Sequence, residues 1–377
     1  MSTLAVNAIT DASGGSTCTI NGATPTTANV LGRNRIINGH MLINQRGGTT
    51  TVNSTASTYG VDQWAGVGQA TDGVFTMAQS SATPPAGLTN FLRATTTTAD
   101  ASIGATQSYA LRHAIEGYNV ADLGWGAVGA ATITLSFWVR SSLTGTFGGS
   151  VANNGNTRFY VFSYPINSAN TWEQKTITVT GDTTGTWTTD NTAGIKIFFN
   201  LGAGSTYTGA AGSWGGATLY NVTSGVNLIG TLNATFDLTG VQLEKGSVAS
   251  NFEYRPYGTE LILCQRYYEK SYAPNVALGT VTQTDSVQWR CQSPSNISWY
   301  PRIPVQFRVT KRATPTVNTY STQTGASGQV YIQAPNAADK PASLYSVGVN
   351  GVSVEATSGT TGADAQYVFH WTAESEL

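Results

Sequence analysis

The chain has 377 residues, and 19 Lys and Arg against 20 Asp and Glu give it a formal net charge of -1. Only 10% of its residues are charged, whereas about 25% are charged in an ordinary soluble domain. Nucleic-acid binding and polybasic membrane contact both need clustered Lys and Arg, so this composition argues against both. The length is sufficient for about two domains.

The first segment, residues 1–33, is polar and rich in Thr, Ala and Gly. It has neither the basic region nor the continuous apolar core of a secretory signal. No stretch of the chain approaches the roughly 20 apolar residues of a membrane span. We therefore expect synthesis in a reducing cytoplasm, no classical export and no membrane insertion. The segment is either disordered or a β-strand that is added to a partner.

Residues 34–256 alternate between apolar and polar side chains, which is the period of a half-buried strand. Two runs place their apolar residues on one face: Ile133, Leu135, Phe137 and Val139, then Ile195, Ile197, Phe199 and Leu201. Glycine-rich turns separate these runs. Many short strands with turns between them predict an antiparallel sandwich or jelly roll.

A change of phase marks the end of this region. Phe236 and Leu238 share one face of a strand, whereas Val241 and Leu243 have the opposite phase. One extra residue at Thr239–Gly240 would turn both halves inward, so we predict a β-bulge or bend there.

A domain boundary is predicted near residues 255–258, and strands return in the last hundred residues. Residues 259–270 follow as a short helix capped by Thr259, although their alternation also permits a strand. Asn350-Gly351 predicts a hairpin with a type I′ turn. The predicted fold is all-β: an attachment segment (1–33), a jelly roll (34–256) and a smaller C-terminal β-sandwich (257–377).

Motifs that would indicate an enzyme are missing from the sequence. It contains no nucleophile elbow, HExxH zinc motif, Walker A motif or glycine fingerprint entering a helix. The three Cys and three His residues lack metal-ligand spacing, so we expect no metal site and no cofactor. A glycosidase would need two carboxylates about 5–10 Å apart. The candidates for such a pair are Asp62, Asp182, Asp190, Asp237, Glu244 and Glu253.

Asp237 and Glu244 bracket the bent strand and are the most suggestive pair. A sequence with 20 acidic residues always offers such pairs. We therefore interpret these groups as surface carboxylates or as hydrogen-bonded partners of turns and arginines, and we predict no catalytic residues.

Three tryptophans suggest a binding role. Trp138 lies on the polar face of its predicted strand, Trp187 stands between two threonines, and Trp214 lies in a glycine-rich segment. An exposed indole can stack on a sugar ring while polar neighbours bind the hydroxyl groups. The alternatives for each residue are a subunit interface or an edge packed under a loop.

Several stretches resemble head and tail fibre proteins of tailed bacteriophages, particularly those of marine and cyanophage types. The opening MSTLAVNAITDASGG (1–15) resembles the start of such proteins. The remaining similar stretches belong to their jelly roll: NRIINGHMLINQR (34–46), YGVDQW (59–64), LSFWVRSSLTGTF (135–147), WEQK (172–175), TGVQLEKG (239–246), FEYRPYGTEL (252–261) and CQRYY (264–268).

The resemblance implies a virion structural protein, made in the host cytoplasm and assembled as a homotrimeric head or tail fibre. Its N-terminal segment would attach to a capsid or tail protein, and its carbohydrate-binding-module-like jelly roll would bind host surface polysaccharide. Closed oligomers also protect exposed strand edges. The alternatives are a tailspike-type polysaccharide depolymerase, and a decoration or adaptor protein without receptor contact. The resemblance provides no catalytic or sugar-contacting residues.

Overall fold

The structure is a computed structural model, and it describes residues 32–292, 301–334, 337–356 and 364–377. Residues 1–31 of the predicted attachment segment lie outside these ranges. Within them the chain forms strands and one short α-helix, so the all-β prediction is confirmed. Among the residues described, no helix has the length and apolarity that spanning a membrane requires.

The first part of the fold contains fifteen strands and four short 3-10 helices. The strands are β1 (Thr49–Val52), β2 (Thr58–Tyr59), β3 (Trp64–Gly68), β4 (Val74–Ser80), β5 (Phe91–Thr98), β6 (Ser108–Glu116), β7 (Ile133–Ser141), β8 (Gly145–Asn153), β9 (Phe159–Ile166), β10 (Glu173–Val179), β11 (Ala193–Ala203), β12 (Thr208–Gly209), β13 (Trp214–Gly215), β14 (Asn221–Val222) and β15 (Thr235–Lys245). The 3-10 helices are Gly117–Asn119, Ala121–Leu123, Ser205–Tyr207 and Leu228–Gly230.

Thirteen of these strands build two antiparallel sheets that face each other, and β12 and β14 form a separate parallel pair. The six-stranded sheet has the order β1-β4-β5-β15-β7-β10, and the seven-stranded sheet has the order β13-β9-β8-β11-β6-β3-β2. Phe137 of β7 lies 5.0 Å from Phe199 of β11, measured between ring centroids, and both rings are fully buried. The two alternating runs of the sequence therefore meet in one core, and the jelly-roll sandwich is confirmed.

The predicted bulge lies in β15. Its pairing with β7 shifts register between Thr239 and Gln242, and Gly240 takes a φ of 59°. A Cβ atom at Gly240 would lie 3.0 Å from Trp138 Cδ1 and 3.1 Å from Leu88 Cδ1. Glycine is required here because the backbone is left-handed and two side chains close over it.

Gly240→Ala should therefore destabilise the fold by about 1–2 kcal/mol, because alanine is strained at this φ and crowds both neighbours. The matched control is Gly258→Ala in the helix described below, where a Cβ would meet nothing within 4 Å. That control should be neutral or stabilising, since alanine is the better helix former. Urea unfolding of both variants measures the difference, and equal midpoints would contradict it.

The described residues of the C-terminal part form the helix and nine strands. They are α1 (Tyr257–Gln265), β16 (Tyr268–Lys270), β17 (Val287–Gln292), β18 (Arg302–Gln306), β19 (Thr316–Ser321), β20 (Gln329–Ala334), β21 (Ala338–Pro341), β22 (Ser343–Gly348), β23 (Gly351–Glu355) and β24 (Asp364–Glu374). β24 pairs with β16, β17, β19 and β20, and a second sheet has the order β18-β23-β22. A separate apolar core lies among these strands. The proposed domain limits remain predictions.

Two local predictions in this part need correction. Helix α1 begins at Tyr257 rather than after a Thr259 cap, its N-cap is Pro256, and the predicted helical residues 268–270 form a strand. The hairpin of β22 and β23 is confirmed, but neither Val349 nor Asn350 has the positive φ that a type I′ turn requires. Gly351 is needed for another reason, because a Cβ there would lie 2.5 Å from the Val305 carbonyl oxygen.

A cluster of buried charges joins the last residues to the jelly roll. Arg46 contacts Glu376 at 2.9 Å and Glu374 at 3.2 Å, and it lies 3.9 Å from Asp62. Its guanidinium carbon is 3.7 Å from the centroid of the Tyr268 ring. Burial raises the pKa of Glu376 to about 7, although the charge of Arg46 acts in the opposite direction.

A second contact connects the same parts. Glu116, at the end of β6, is 1% exposed and accepts hydrogen bonds from Arg266 at 2.5 and 2.8 Å and from the Tyr267 hydroxyl at 2.7 Å. Three charge-assisted donors therefore satisfy one buried carboxylate.

Candidate functional site

The structure brings two of the three predicted tryptophans together and adds a third that the sequence reasoning missed. Trp187 and Trp214 lie 5.3 Å apart between ring centroids, and Trp125 lies 4.6 Å from the first and 5.3 Å from the second. All three pairs are edge-to-face, with interplanar angles of 77–83°. We call these three residues the tryptophan cluster, and all of its members are half-buried.

Two loops and the two-residue strand β13 supply the cluster. Trp125 precedes β7, Trp187 lies between β10 and β11, and Trp214 begins β13, where it pairs with Tyr160 of β9. The two loops approach closely, because a Cβ at Gly126 would lie 2.8 Å from the Gly185 carbonyl oxygen. Glycine allows this approach, so the two indoles can meet.

The indole N–H groups of the cluster are satisfied by the protein itself. The acceptors are backbone carbonyl oxygens: Ala131 for Trp125 (2.7 Å), Thr184 for Trp187 (3.1 Å) and Thr180 for Trp214 (2.7 Å). These bonds fix the orientation of each ring, so the exposed surface of the cluster is a preformed apolar face rather than a set of polar donors.

A shallow cavity of about 50 Å³ adjoins this face. Trp125 and Trp187 form one wall, and Thr188 and Thr189 place hydroxyl-bearing side chains beside them. The Thr188 hydroxyl donates to the Ala193 carbonyl oxygen at 2.5 Å, so it can only accept from a ligand. The floor includes Ile195, at the start of β11. An aromatic wall next to hydroxyl groups can hold the C–H face of a sugar ring and its hydroxyls at the same time.

An ion pair fixes the loop between β10 and β11, which carries Trp187. Arg158 donates to both carboxylate oxygens of Asp182 at 2.6 and 2.9 Å. Burial raises the pKa of Asp182, but hydrogen bonds from Arg158 and Thr184 outweigh this effect and hold the pKa below its ordinary value. The carboxylate thus stays ionised and fixes the loop that carries Trp187.

Trp138 lies elsewhere, on the outer face of the six-stranded sheet. It pairs with Thr239 of β15 and Gln174 of β10, and it borders Gly240. Leu88, from the loop before β5, approaches the same glycine. Trp138 is therefore packed beside a loop and takes no part in the tryptophan cluster.

The sequence around Trp125 contains a pattern that could have identified this residue as a candidate. It lies in Gly124-Trp125-Gly126, a glycine-rich setting like the one that singled out Trp214. Tight turns of this kind place an aromatic side chain on a loop surface, so the same reasoning would have selected it.

The candidate carboxylates all make hydrogen bonds with neighbouring groups. Asp237 binds Arg93 and Arg140 at 2.7–2.8 Å, and Glu244 accepts from Ser250 at 2.6 and 2.8 Å. The other bonds are Asp62 with Gln45, Asp182 with Arg158, Asp190 with Thr192, and Glu253 with the backbone N–H groups of Gly32 and Asn34. Within the described ranges, no three His, Cys, Asp or Glu side chains are placed to hold a metal ion.

No protein-family model matches the chain, and no curated protein matches it either. Among solved structures, it is similar to a family 11 carbohydrate-binding module from Clostridium thermocellum in complex with a mixed-linked tetrasaccharide. The identity is 13% and the TM-score 0.27, with 54% of this chain and 99% of that chain covered. The chain is also similar to a family 61 carbohydrate-binding module in complex with β-1,4-galactotriose. There the identity is 11% and the TM-score 0.25, with 48% of this chain and 88% of that chain covered.

The chain is also similar to the enzymatically active domain of tailspike protein 4 from bacteriophage CBA120. The identity is 10% and the TM-score 0.29, with 57% of this chain and 22% of that chain covered. The chain thus spans about a fifth of the length of that tailspike domain. At these identities and TM-scores, the likenesses assign neither a family nor a role to this chain.

Proposed function

We propose that this chain is a glycan-binding protein of a phage virion, a homotrimeric head or tail fibre without catalytic activity. The observation that carries the glycan-binding role is the tryptophan cluster. Its rings are half-buried and their N–H groups are satisfied, and Thr188 and Thr189 border two of the rings, Trp125 and Trp187, at a cavity. Such a surface favours a neutral sugar face over a charged ligand.

The virion role rests on the sequence resemblance and on the charge-poor, strand-rich composition. Only 10% of the residues of the chain are charged, so few charges are available to protect exposed strand edges. Assembly of three copies would cover such edges. The N-terminal segment is the part proposed to attach to a capsid or tail protein.

Trp187→Ala should reduce binding to host surface polysaccharide by about tenfold or more, because a stacking ring and one wall of the cavity are lost. Trp138→Ala is the matched control, since it removes an indole from the other sheet and should leave binding within about twofold. A sedimentation assay with purified host capsule measures both. Equal losses in the two variants, or no binding by the wild type, would reject the cluster as the site.

Two further measurements test the remaining parts of the proposal. Light scattering of the purified full chain should give the mass of three copies, and a monomer would contradict the fibre assignment. Incubation with the same capsule should release no reducing ends. Their release would favour the depolymerase alternative instead.

A further inference from the structure

The long connection between β16 and β17 encloses a second cavity, in the C-terminal part of the chain. Residues 271–286 leave and rejoin the sheet beside the same strand, because Lys270 pairs with Thr372 and Val287 pairs with Phe369 of β24. Compact loops whose ends lie close together are frequently functional. The cavity measures about 220 Å³, which is several times the space beside the tryptophan cluster.

Two buried side chains, Lys270 and His370, bind this loop through hydrogen bonds. Lys270 is 1% exposed and donates to the carbonyl oxygens of Pro274 (3.2 Å) and Val276. His370 is fully buried and bridges both ends of the loop, with Nδ1 at 2.8 Å from the Ser271 hydroxyl and Nε2 at 3.2 Å from the Thr282 carbonyl oxygen. A carbonyl only accepts, so Nε2 carries the proton and Nδ1 accepts from Ser271.

The same histidine supports the cavity wall. Its ring stacks on Tyr272 at 3.6 Å between centroids, with an angle of 15° between the planes. Burial lowers the pKa of His370 to about 4, so the imidazole is neutral at physiological pH and the stack carries no charge. The wall is therefore preformed in the protein without a ligand.

The lining has two chemical sides. Ala273 and Val276 supply half-buried apolar surface, while Thr280, Thr282, Thr284 and Asp285 supply hydroxyl groups and a carboxylate. Tyr272 also lines the cavity, but it is only 2% exposed and one face of its ring is covered by His370. The Thr282 hydroxyl accepts the N–H of Thr284 at 3.1 Å, which leaves its own proton able to donate. The described lining includes no Lys or Arg, so an acidic sugar would have no countercharge.

We infer that this cavity is a second binding site, for a single neutral sugar residue of pyranose size. The ring would place its C–H face on Ala273 and Val276, and its hydroxyls would bind the threonines and Asp285. The site is independent of the tryptophan cluster, because it is built from one loop and strand β24 of the C-terminal part. It would give the chain a contact for a terminal sugar in addition to one for a polysaccharide.

Saturation-transfer NMR on the intact protein tests this inference, with methyl glycosides of glucose, galactose, mannose and N-acetylglucosamine as probes. At least one should bind the wild type. Thr282→Val should weaken that glycoside by about threefold to tenfold, because it removes one hydroxyl at constant volume. Val276→Phe should abolish binding by filling the cavity.

Two controls separate this site from the rest of the protein. Thr316→Val changes an exposed threonine on β19, and Trp187→Ala disrupts the tryptophan cluster. Neither should alter glycoside binding to the C-terminal cavity. The inference is overturned if no glycoside binds, if Val276→Phe binds as the wild type does, or if Trp187→Ala alone removes the signal. Thermal unfolding of each variant verifies that it is folded.

Discussion

Lys311→Met should lower the free energy of unfolding by about 3–5 kcal/mol, because it leaves the buried Glu269 carboxylate without its cation and with only backbone N–H donors from Arg308 and Val309. Lys311 and Glu269 are both fully buried and lie 2.5 Å apart between Nζ and Oε2. The lysine also donates to the carbonyl oxygens of Gln265 (2.5 Å) and Val309 (2.8 Å). Methionine fills a similar volume but makes none of these bonds. Urea unfolding measures the loss.

Two further variants show whether the unpaired charge is the cause. Lys311→Met combined with Glu269→Leu should recover much of the loss, since an apolar pair of similar volume replaces the ion pair. Arg302→Met removes the cation of an exposed pair, where Arg302 is 59% exposed and lies 3.4 Å from Glu355. That change should cost at most about 1 kcal/mol. A loss of less than 1 kcal/mol in Lys311→Met itself would contradict the argument.

The alternation of apolar and polar residues was enough to predict strands, but it could not predict the charge pairs that join distant parts of the chain. The alternating runs predicted β7 and β11, and the phase change at Gly240 predicted the bulge, because side-chain period is a property of neighbouring residues. Glu116 and Arg266 are 150 residues apart, and nothing in their spacing indicates that they pair. Such contacts depend on how the sheets stack.

The candidate site was predicted only in part, because local sequence pattern does not show which distant loops meet. The contexts of Trp187 and Trp214 predicted hairpins or loops, and the structure places Trp187 in a loop and Trp214 in the two-residue strand β13, in contact with each other. Trp138 has the outward phase that its strand pattern predicted, but the loop carrying Leu88 packs beside it. A strand pattern predicts the face of a residue, whereas a distant loop determines whether that face is open.

Acidification from pH 7 to pH 5 should destabilise the protein, because three histidines are buried in the neutral form. Burial is the main cause that lowers the pKa values of His40, His113 and His370 to about 4. The unfolded chain binds protons at a pKa of about 6.5. Stability is therefore lost as the pH falls from about 6.5 towards 4, and each histidine costs about 2 kcal/mol by pH 5.

Glu376 acts in the opposite direction. Its pKa is raised to about 7 by burial, so the folded protein binds a proton below pH 7 that the unfolded chain binds only near pH 4.5. Burial also raises the pKa of Asp62 beside it. Protonation of Glu376 thus adds about 2 kcal/mol of stability by pH 5 and offsets about one histidine. The histidines are more numerous, so the net change remains a loss.

Single substitutions separate the two contributions through the pH dependence of unfolding. His113→Gln removes one titrating ring, so its stability should fall by about 2 kcal/mol less than that of the wild type between pH 7 and pH 5. Glu376→Gln removes the offset, so its loss should be about 2 kcal/mol larger. Each comparison uses the change with pH, which cancels the packing cost of the substitution. Parallel curves for wild type and both variants would show that neither group titrates as its burial implies.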